Sequence, residues 1–203
     1  MKTAPPIAAL GFRVHSGWAA AVAVAGPAKS PSVILRRTLI LADPALAGSK
    51  QPFHAAAGLE LQKAEKLIQR CTESTHALAQ QALRSVVAEL RKLGYRPAGA
   101  CILLSSGREL GALESILASH AMIHTAEGEF FREALRRGCK KSAVPLTGIK
   151  ERELLDHAAE KLRLPPGKLQ ARTAKLGEPL GPPWRQDEKL AALAGWLVLS
   201  VKP

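Results

Sequence analysis

The sequence predicts one α/β domain in which a mixed five-stranded sheet carries helices on both faces. Two observations support this fold class. Three apolar segments with short connections open the chain, and the later apolar segments alternate with longer amphipathic ones. Aromatic residues make up only 4% of the composition, and alanine and leucine supply most of the apolar residues, which favours helices on a sheet over an all-β domain. A chain of 203 residues is expected to form a single domain over residues 1–203.

Three strands are expected first, over residues 7–14, 17–25 and 32–41. The first two are joined by a tight turn at residues 15–17, and the next connection is rich in glycine and proline. Short connections of this kind predict an antiparallel meander, which ends at the chain reversal that begins with Asp43.

Two further strands are expected, at residues 98–104 and 144–149. Both are short apolar runs without alternation, which is typical of strands buried on both faces. Periodicity and end signals predict helices at residues 55–93, 109–138, 151–164, 168–176 and 185–199. The second helix is expected to break near residues 119–125, and an irregular insertion is expected at about 165–183, before the closing helix. Helical crossovers join parallel strands, so the meander should continue into two parallel strands.

The chain carries 29 Lys and Arg against 17 Asp and Glu, which gives a formal net charge of +12. A surplus of this size favours a polyanionic partner, so we expect nucleic acid (DNA or RNA) or a phosphorylated ligand. The alternative is a basic surface without a specific partner. The positive charges are spread along the chain and form no block that resembles a disordered nucleic-acid-binding tail.

Cys71, Cys101 and Cys139 lie far apart and lack metal-ligand spacing, which predicts buried thiols in a reducing compartment. The first residues lack the pattern of a signal peptide, and the apolar run at residues 190–201 is too short to cross a bilayer. We therefore expect a cytoplasmic protein with no membrane partner.

Residues 10–18, Leu-Gly-Phe-Arg-Val-His-Ser-Gly-Trp, form an apolar strand, a glycine-containing turn and the start of a second strand. Residues 187–194, Asp-Glu-Lys-Leu-Ala-Ala-Leu-Ala, begin the closing helix. These two segments and the order of elements resemble the ribonuclease H-like superfamily, which includes Holliday-junction resolvases of the RuvC type and YqgF-like proteins. In that family the first strand carries an Asp, where this chain has Arg13. Asp187 or Glu188 matches one acid of the family's closing helix, and an apolar residue replaces the other.

The resemblance implies a ribonuclease H-like fold and a protein that binds nucleic acid. If the chain is an enzyme, the resemblance implies a hydrolase, a nuclease that acts on phosphodiester bonds. Two-metal cleavage requires several carboxylates around ions about 4 Å apart, and a cation at residue 13 would repel a metal. The sequence therefore does not supply the full set of carboxylates that a divalent metal cofactor needs, and we expect altered or lost nuclease activity.

Three polar segments, at residues 13–16, 105–108 and 150–152, should meet beyond the carboxyl ends of the parallel strands, where such sheets bind ligands. The closing helix adds further polar residues nearby. We expect a cationic rim that binds phosphate or a nucleic-acid backbone. Its candidate residues are Arg13, His15, Ser16, Ser105, Ser106, Arg108, Lys150, Arg152, Trp184 and Lys189. Alternatively, Ser105 or Ser106 caps the following helix and Trp184 anchors the last helix in the core.

A second candidate site combines His120, His124 and Glu127, which lie on one face of an unbroken helix. Two imidazoles and a carboxylate can bind a divalent metal ion or act as a His–Glu acid/base pair. With Asp187, these three are the candidate catalytic residues. Alternatively, Thr125 caps a new helix and Glu127 complements its dipole. His54 and His76 have no evident partner in the sequence, and we expect them to be structural.

Three functions remain open at this stage. The first, which we favour, is a nucleic-acid-binding ribonuclease H-like protein with altered or lost nuclease activity. The second is a small-molecule enzyme that acts on a phosphate- or carboxylate-bearing substrate through the His/Glu site. The third is a non-catalytic interaction protein.

Overall fold

A five-stranded sheet forms the centre of the computed structural model, which describes residues 4–105 and 109–200. The strands β1 (Ile7–His15), β2 (Trp18–Ala25) and β3 (Ser32–Ile40) form an antiparallel meander. The strands β4 (Arg96–Leu104) and β5 (Leu146–Lys150) run parallel to β1. The strand order β3-β2-β1-β4-β5 places β1 in the middle. The predicted mixed sheet is confirmed.

Helices cover both faces of this sheet. In the described residues the α-helices are α1 (Pro52–Ala56), α2 (Leu61–Lys92), α3 (Leu113–Leu117), α4 (His120–Lys141), α5 (Leu154–Leu162), α6 (Pro166–Lys175) and α7 (Gln186–Ser200). The long helices α2 and α4 pack on one face, where Phe12 lies in a buried cluster with Leu83 and Phe131. On the other face, Cys101 and Leu103 of β4 pack with residues of α5 and α7.

The closing helix α7 lies unusually close to β1. A Cβ atom at Gly11 would lie 1.8 Å from the carbonyl oxygen of Ala191, and one at Gly195 would lie 2.7 Å from a Val24 methyl group. Glycine at residues 11 and 195 therefore lets the helix backbone reach the strand. Side chains alternate along a strand, so Arg13 and His15 lie on the same face of β1 as Gly11. The close approach thereby brings the first turn of α7 next to Arg13.

The predicted helix at residues 55–93 is two helices in the structure. Ala57 is extended, with φ −60° and ψ 131°, and Gly58 has φ +81°, so the chain turns before α2 begins at Leu61. Apolar periodicity continued across this turn and did not reveal it. The consequence is that α1 is a separate short helix that packs on α2 and α4.

The helix break expected near residues 119–125 lies at Ser119, the first residue of that range. Ser119 is extended, with φ −131° and ψ 114°, and α4 is continuous from His120 onward. Thr125 is interior to that helix, and its hydroxyl donates to the carbonyl of Ala121 at 2.9 Å. The alternative in which Thr125 caps a new helix is therefore wrong, because Thr125 lies inside α4 and not at its N-terminus.

The prediction that the fifth strand is buried on both faces is also wrong. β5 is an edge strand, and Thr147 and Gly148 are exposed. The predicted irregular stretch before the closing helix contains α6 and a short 3₁₀ turn over Glu178–Leu180. Leu169 of α6 packs with α5 and α7.

The three cysteines are buried and form no disulfide, as predicted. Burial raises the pKa of the Cys139 thiol to about 12, which keeps it protonated. In residues 4–105 and 109–200, no helix is both long enough and apolar enough to traverse a bilayer.

Candidate functional site

A group of four side chains, which we call the Arg13 centre, lies at the carboxyl end of β1. It consists of Arg13, His15, Glu151 and Asp187. The Nε and Nη2 atoms of Arg13 donate to the two carboxylate oxygens of Glu151 at 2.9 and 2.8 Å, and its Nη1 donates to Oδ1 of Asp187. The planar guanidinium matches a carboxylate through two parallel bonds, which is the strong form of this ion pair. The hydrogen bond to Glu151 is the main cause of a raised pKa of Arg13.

Asp187 is held from two sides. Besides Arg13, the Nε2 atom of His15 lies 2.7 Å from Oδ1 of Asp187. Burial raises the pKa of the Asp187 carboxyl, but the hydrogen bonds from His15 and Arg13 outweigh burial and leave that pKa below its ordinary value. The ring of His15 also stacks on Trp18, with centroids 4.4 Å apart and planes 12° from parallel. Asp187 is therefore an ionised carboxylate in a fixed orientation.

The sequence placed Arg13 and His15 in a cationic rim, and the structure pairs both of them with carboxylates. Both side chains contact carboxylates, and one guanidinium faces two of them. Sequence reasoning did not single out Glu151, although it placed residues 150–152 at this edge. The ion pair between Arg13 and Glu151 could not be predicted, because the two residues are 138 positions apart in sequence.

A cleft of about 490 Å³ lies beside the Arg13 centre. Its walls combine the ends of β4 and β5 with the first turns of α7: Leu104, Ser105, Lys150, Glu151, Arg152, Gln186 and Leu190. The Nζ atom of Lys150 and the Nε atom of Arg152 each lie 3.5 Å from Glu153, with 40% and 70% of their side chains exposed. Exposed pairs of this kind contribute little, so both cations remain available to an anion in the cleft.

The remaining candidates of the rim have separate positions. Ser16 is exposed in the hairpin turn, and Lys189 is half-buried on α7. Ser106 and Arg108 lie outside the described residues. Trp184 does not line the cleft: its Nε1 donates to the carbonyl of Thr173 at 2.9 Å, and its ring fills the space beside Gly177. Trp184 thus packs between α6 and the sheet, the position that the anchoring alternative predicts.

A buried guanidinium that sequence reasoning missed lies at the end of β4. Arg132 is 9% exposed, and its Nε donates to the carbonyl of Leu103 at 3.1 Å. Burial is the main cause of a lowered pKa of Arg132. Its neighbours Glu129 and Gly128 are on the same helix, and a Cβ at Gly128 would lie 2.8 Å from its Nη1. An arginine inside a helix pattern gave no sign that it would turn inward.

A second group of polar side chains, the histidine cluster, consists of His54, His120 and His124. The Nε2 atoms of His120 and His124 are 3.0 Å apart, one helical turn from each other on α4. His54 of α1 completes the group, with ring centroids 4.7 Å from His124 and 5.7 Å from His120. The expectation that His54 lacks a partner is therefore wrong. Its partners are about 70 residues away along the chain and leave no local pattern.

Glu127 does not join His120 and His124 as the sequence suggested. It is 2% exposed, and its Oε1 accepts hydrogen bonds from the backbone N–H groups of Phe53 and His54 at 2.9 and 3.0 Å. The Nδ1 atom of His54 lies 3.2 Å from the same oxygen. Burial raises the pKa of Glu127, and the bonds from His54 and Phe53 oppose that change. Glu127 therefore fixes α1 and the His54 ring from inside the protein.

Comparison with solved structures identifies the architecture. Two structures of RuvC from Thermus thermophilus, one in complex with a Holliday junction substrate, match 94% of this chain and 92% of their own, with 9% sequence identity. Their TM-scores are 0.54 and 0.50. The chain has a ribonuclease H-like fold. No family model matches the sequence, and no curated protein does. At 9% identity the likeness describes the fold and not the activity.

The resemblance stated from the sequence implied metal ions between the first strand and the closing helix, which is where the Arg13 centre lies. The residues of the centre do not fit such ions. The guanidinium of Arg13 lies between Glu151 and Asp187 and bonds to both, so the carboxylate oxygens that would coordinate a metal face a fixed cation. Leu190, one turn after Asp187, adds an apolar side chain to the same cleft. Among the residues that the structure describes, the site lacks the converging free carboxylates that a pair of divalent ions requires.

Proposed function

We propose that this protein binds nucleic acid at the cleft and does not cleave it by two-metal hydrolysis. The observation that carries the second part is the Arg13 centre, in which a guanidinium bonds to both carboxylates. A metal ion at this place would have to displace Arg13 and leave a partly buried positive charge beside it. Removing one partner of such a partly buried pair is unfavourable, because it leaves the remaining charge uncompensated.

The support for nucleic acid is electrostatic and geometric. The net charge of +12 attracts polyanions, and the cleft carries Lys150 and Arg152 with only a loose contact to Glu153. Ser105 adds a hydroxyl group at the end of β4, on the same wall. Side chains of these types provide most phosphate contacts in nucleic-acid complexes. Because a RuvC of the same fold is found with a Holliday junction substrate, branched DNA is the first ligand to test.

The test is fluorescence anisotropy with a four-way DNA junction, a DNA duplex, single-stranded DNA and an RNA duplex. Phosphate contacts release counterions, so affinity should fall between about 50 and 200 mM salt, by about 10-fold for every two contacts. The double variant K150A/R152A should bind more weakly, and its slope of log K against log salt should become shallower by up to about 2. The unaltered chain should bind nucleic acid and should not cleave it in Mg²⁺ or Mn²⁺.

A matched control removes the same charge elsewhere. Lys140 and Lys141 are exposed at the end of α4, before β5 begins and therefore at the opposite edge of the sheet. The K140A/K141A variant should keep most of the affinity that K150A/R152A loses. Equal losses in the two variants would show that only overall charge matters, and absence of binding at low salt would remove the proposal. Metal-dependent cleavage that is abolished in D187N would overturn its second part.

A further inference from the structure

We propose that the histidine cluster is a binding site for a divalent transition-metal ion, and zinc is the ion used to test it. His54, His120 and His124 each offer one ring nitrogen, and these atoms all lie within 4.8 Å of one another. Imidazole nitrogens suit zinc and its neighbours in the transition series, whereas magnesium, calcium and manganese prefer oxygen ligands. The proposal is therefore independent of the metal chemistry expected at the Arg13 centre, and of nucleic-acid binding.

The spacing of the two helix histidines fits the ion. Residues four apart on a helix face the same side, and a His pair at this spacing is a common zinc-binding arrangement. Two nitrogens that bind one tetrahedral zinc at 2.0–2.1 Å are separated by about 3.3 Å. The Nε2 atoms of His120 and His124 are 3.0 Å apart, so an ion requires only a small separation of the rings. Without an ion, one of these nitrogens carries a proton and donates a hydrogen bond to the other.

Glu127 supplies the supporting contact for the third ligand. The Nδ1 atom of His54 lies 3.2 Å from Oε1 of Glu127, so that nitrogen carries the proton and Nε2 keeps its lone pair for a metal. Metal-binding histidines usually donate their second N–H to a carboxylate or carbonyl in this way. Glu127 is itself fixed by the N–H groups of Phe53 and His54. Its other oxygen, Oε2, is buried without a hydrogen-bond partner in the described part of the chain.

The site is open to solvent and joins two distant segments. His120 and His124 are exposed and His54 is half-buried, so an ion can enter without rearrangement of the core. Three protein ligands leave a fourth position for water, the arrangement of zinc sites that bind exchangeable ligands. A bound ion would also fasten α1, a helix of five residues, to the start of α4. The cleft is lined by residues of β4, β5 and α7 and the segment that follows β5, whereas the histidine cluster belongs to α1 and the start of α4, so the two sites are separate.

The experiment uses the full chain without a histidine tag, freed of metal by dialysis against a chelator. Zinc is titrated in competition with a chromophoric chelator, and Co²⁺ serves as a spectroscopic probe. We expect one equivalent of zinc, visible Co²⁺ bands of a tetrahedral site without thiolate charge transfer, and a higher Tm in zinc. H120A and H124A each lack one metal-binding side chain and should bind zinc at least 10-fold more weakly than the unaltered chain. E127Q keeps all three histidines but lacks the carboxylate beside His54, and it should bind about 10-fold more weakly.

His157 is the matched control, because it is exposed on α5 and lies outside the cluster, so H157A should bind zinc as the unaltered chain does. His120 and His124 are exposed, and their variants are expected to keep the Tm of the metal-free protein; circular dichroism checks that both fold. If either fails to fold, H120N and H124N take their place. A dissociation constant above about 10 μM, more than two orders of magnitude weaker than built zinc sites, overturns the proposal. Unchanged affinity in both variants overturns it as well.

Discussion

Replacing Arg13 by alanine tests the Arg13 centre directly. The substitution leaves Glu151 and Asp187 without their shared cation, while Asp187 and His15 stay in place. The side chains of Arg13 and Asp187 are each 22% exposed and that of Glu151 is 41% exposed, which is intermediate between a surface pair and a buried one. Surface pairs contribute about 0–1 kcal/mol and breaking buried pairs costs about 3–5 kcal/mol, so we expect R13A to lower the free energy of unfolding by about 2 kcal/mol.

The assay is urea unfolding followed by circular dichroism, with thermal unfolding as a second measurement. A loss of about 2 kcal/mol corresponds to a fall in Tm of about 4–8 °C for a chain of this size. The matched control is R37A. Arg37 also pairs with a carboxylate, that of Glu89, but half of its side chain is exposed, so the expected loss is below about 1 kcal/mol.

The pH dependence supplies a second readout of the same variant. Asp187 has a lowered pKa in the folded protein, so its ion pair stabilises the fold above the pKa of an unfolded Asp, about 3.9. That contribution is lost as the pH falls through the folded-state pKa. The stability difference between the unaltered chain and R13A should therefore be full at pH 7 and narrow below about pH 4.

Two results would refute this reasoning. One is a loss in R13A no larger than that in R37A, which would mean that solvent screens the centre. The other concerns the double variant R13A/E151Q. Residues in one ion-pair network should be coupled, so a loss of unfolding free energy equal to the sum of the two single losses would refute the network. We expect R13A/E151Q to be more stable than that sum predicts. In R13A two carboxylates are left without their shared cation, and E151Q removes one of the two negative charges.

Two further predictions concern the same end of the molecule. R13D should bind Mn²⁺ more tightly than the unaltered chain in isothermal titration, because it puts a third carboxylate beside Glu151 and Asp187; equal weak binding would show that the carboxylates do not converge. G11A should lower the free energy of unfolding by at least about 2–3 kcal/mol in urea unfolding, since its Cβ would lie 1.8 Å from the Ala191 carbonyl oxygen and α7 would have to move. A near-neutral result for G11A would mean that α7 is loosely attached to β1.

The local features of the fold were accessible from the sequence, and the contacts between distant segments were not. The meander followed from apolar runs with turn residues between them, and β4 followed from an apolar run without alternation, because both patterns depend on neighbours in sequence. β5 shares that apolar character but lies at the edge of the sheet, where burial depends on what packs beside it. Strand order is not encoded within the strand itself.

The two candidate sites show the same division. Topology alone placed residues 13–16 and 150–152 at one edge, but the pairing of Arg13 with Glu151 depends on side-chain directions across 138 residues. The helix spacing of His120 and His124 was evident, whereas His54 joined them only because the chain turns at Gly58 and releases α1 from α2. In both cases the unforeseen residue comes from another element, and it changes the chemistry of the site.

The Arg13 centre links three elements of the fold, β1, the segment after β5 and α7, through one guanidinium. Carboxylates from the end of β5 and from α7 converge on one point and attract a cation there. In this chain the cation is Arg13, which is covalently part of β1, so the electrostatic link between the three elements needs no metal. Glycine at residue 11, two positions earlier on the same strand face, admits α7 closely enough for the bond to Asp187 to form. Arg13 and the close helix contact at Gly11 therefore join β1, the end of β5 and α7 through groups of the chain itself.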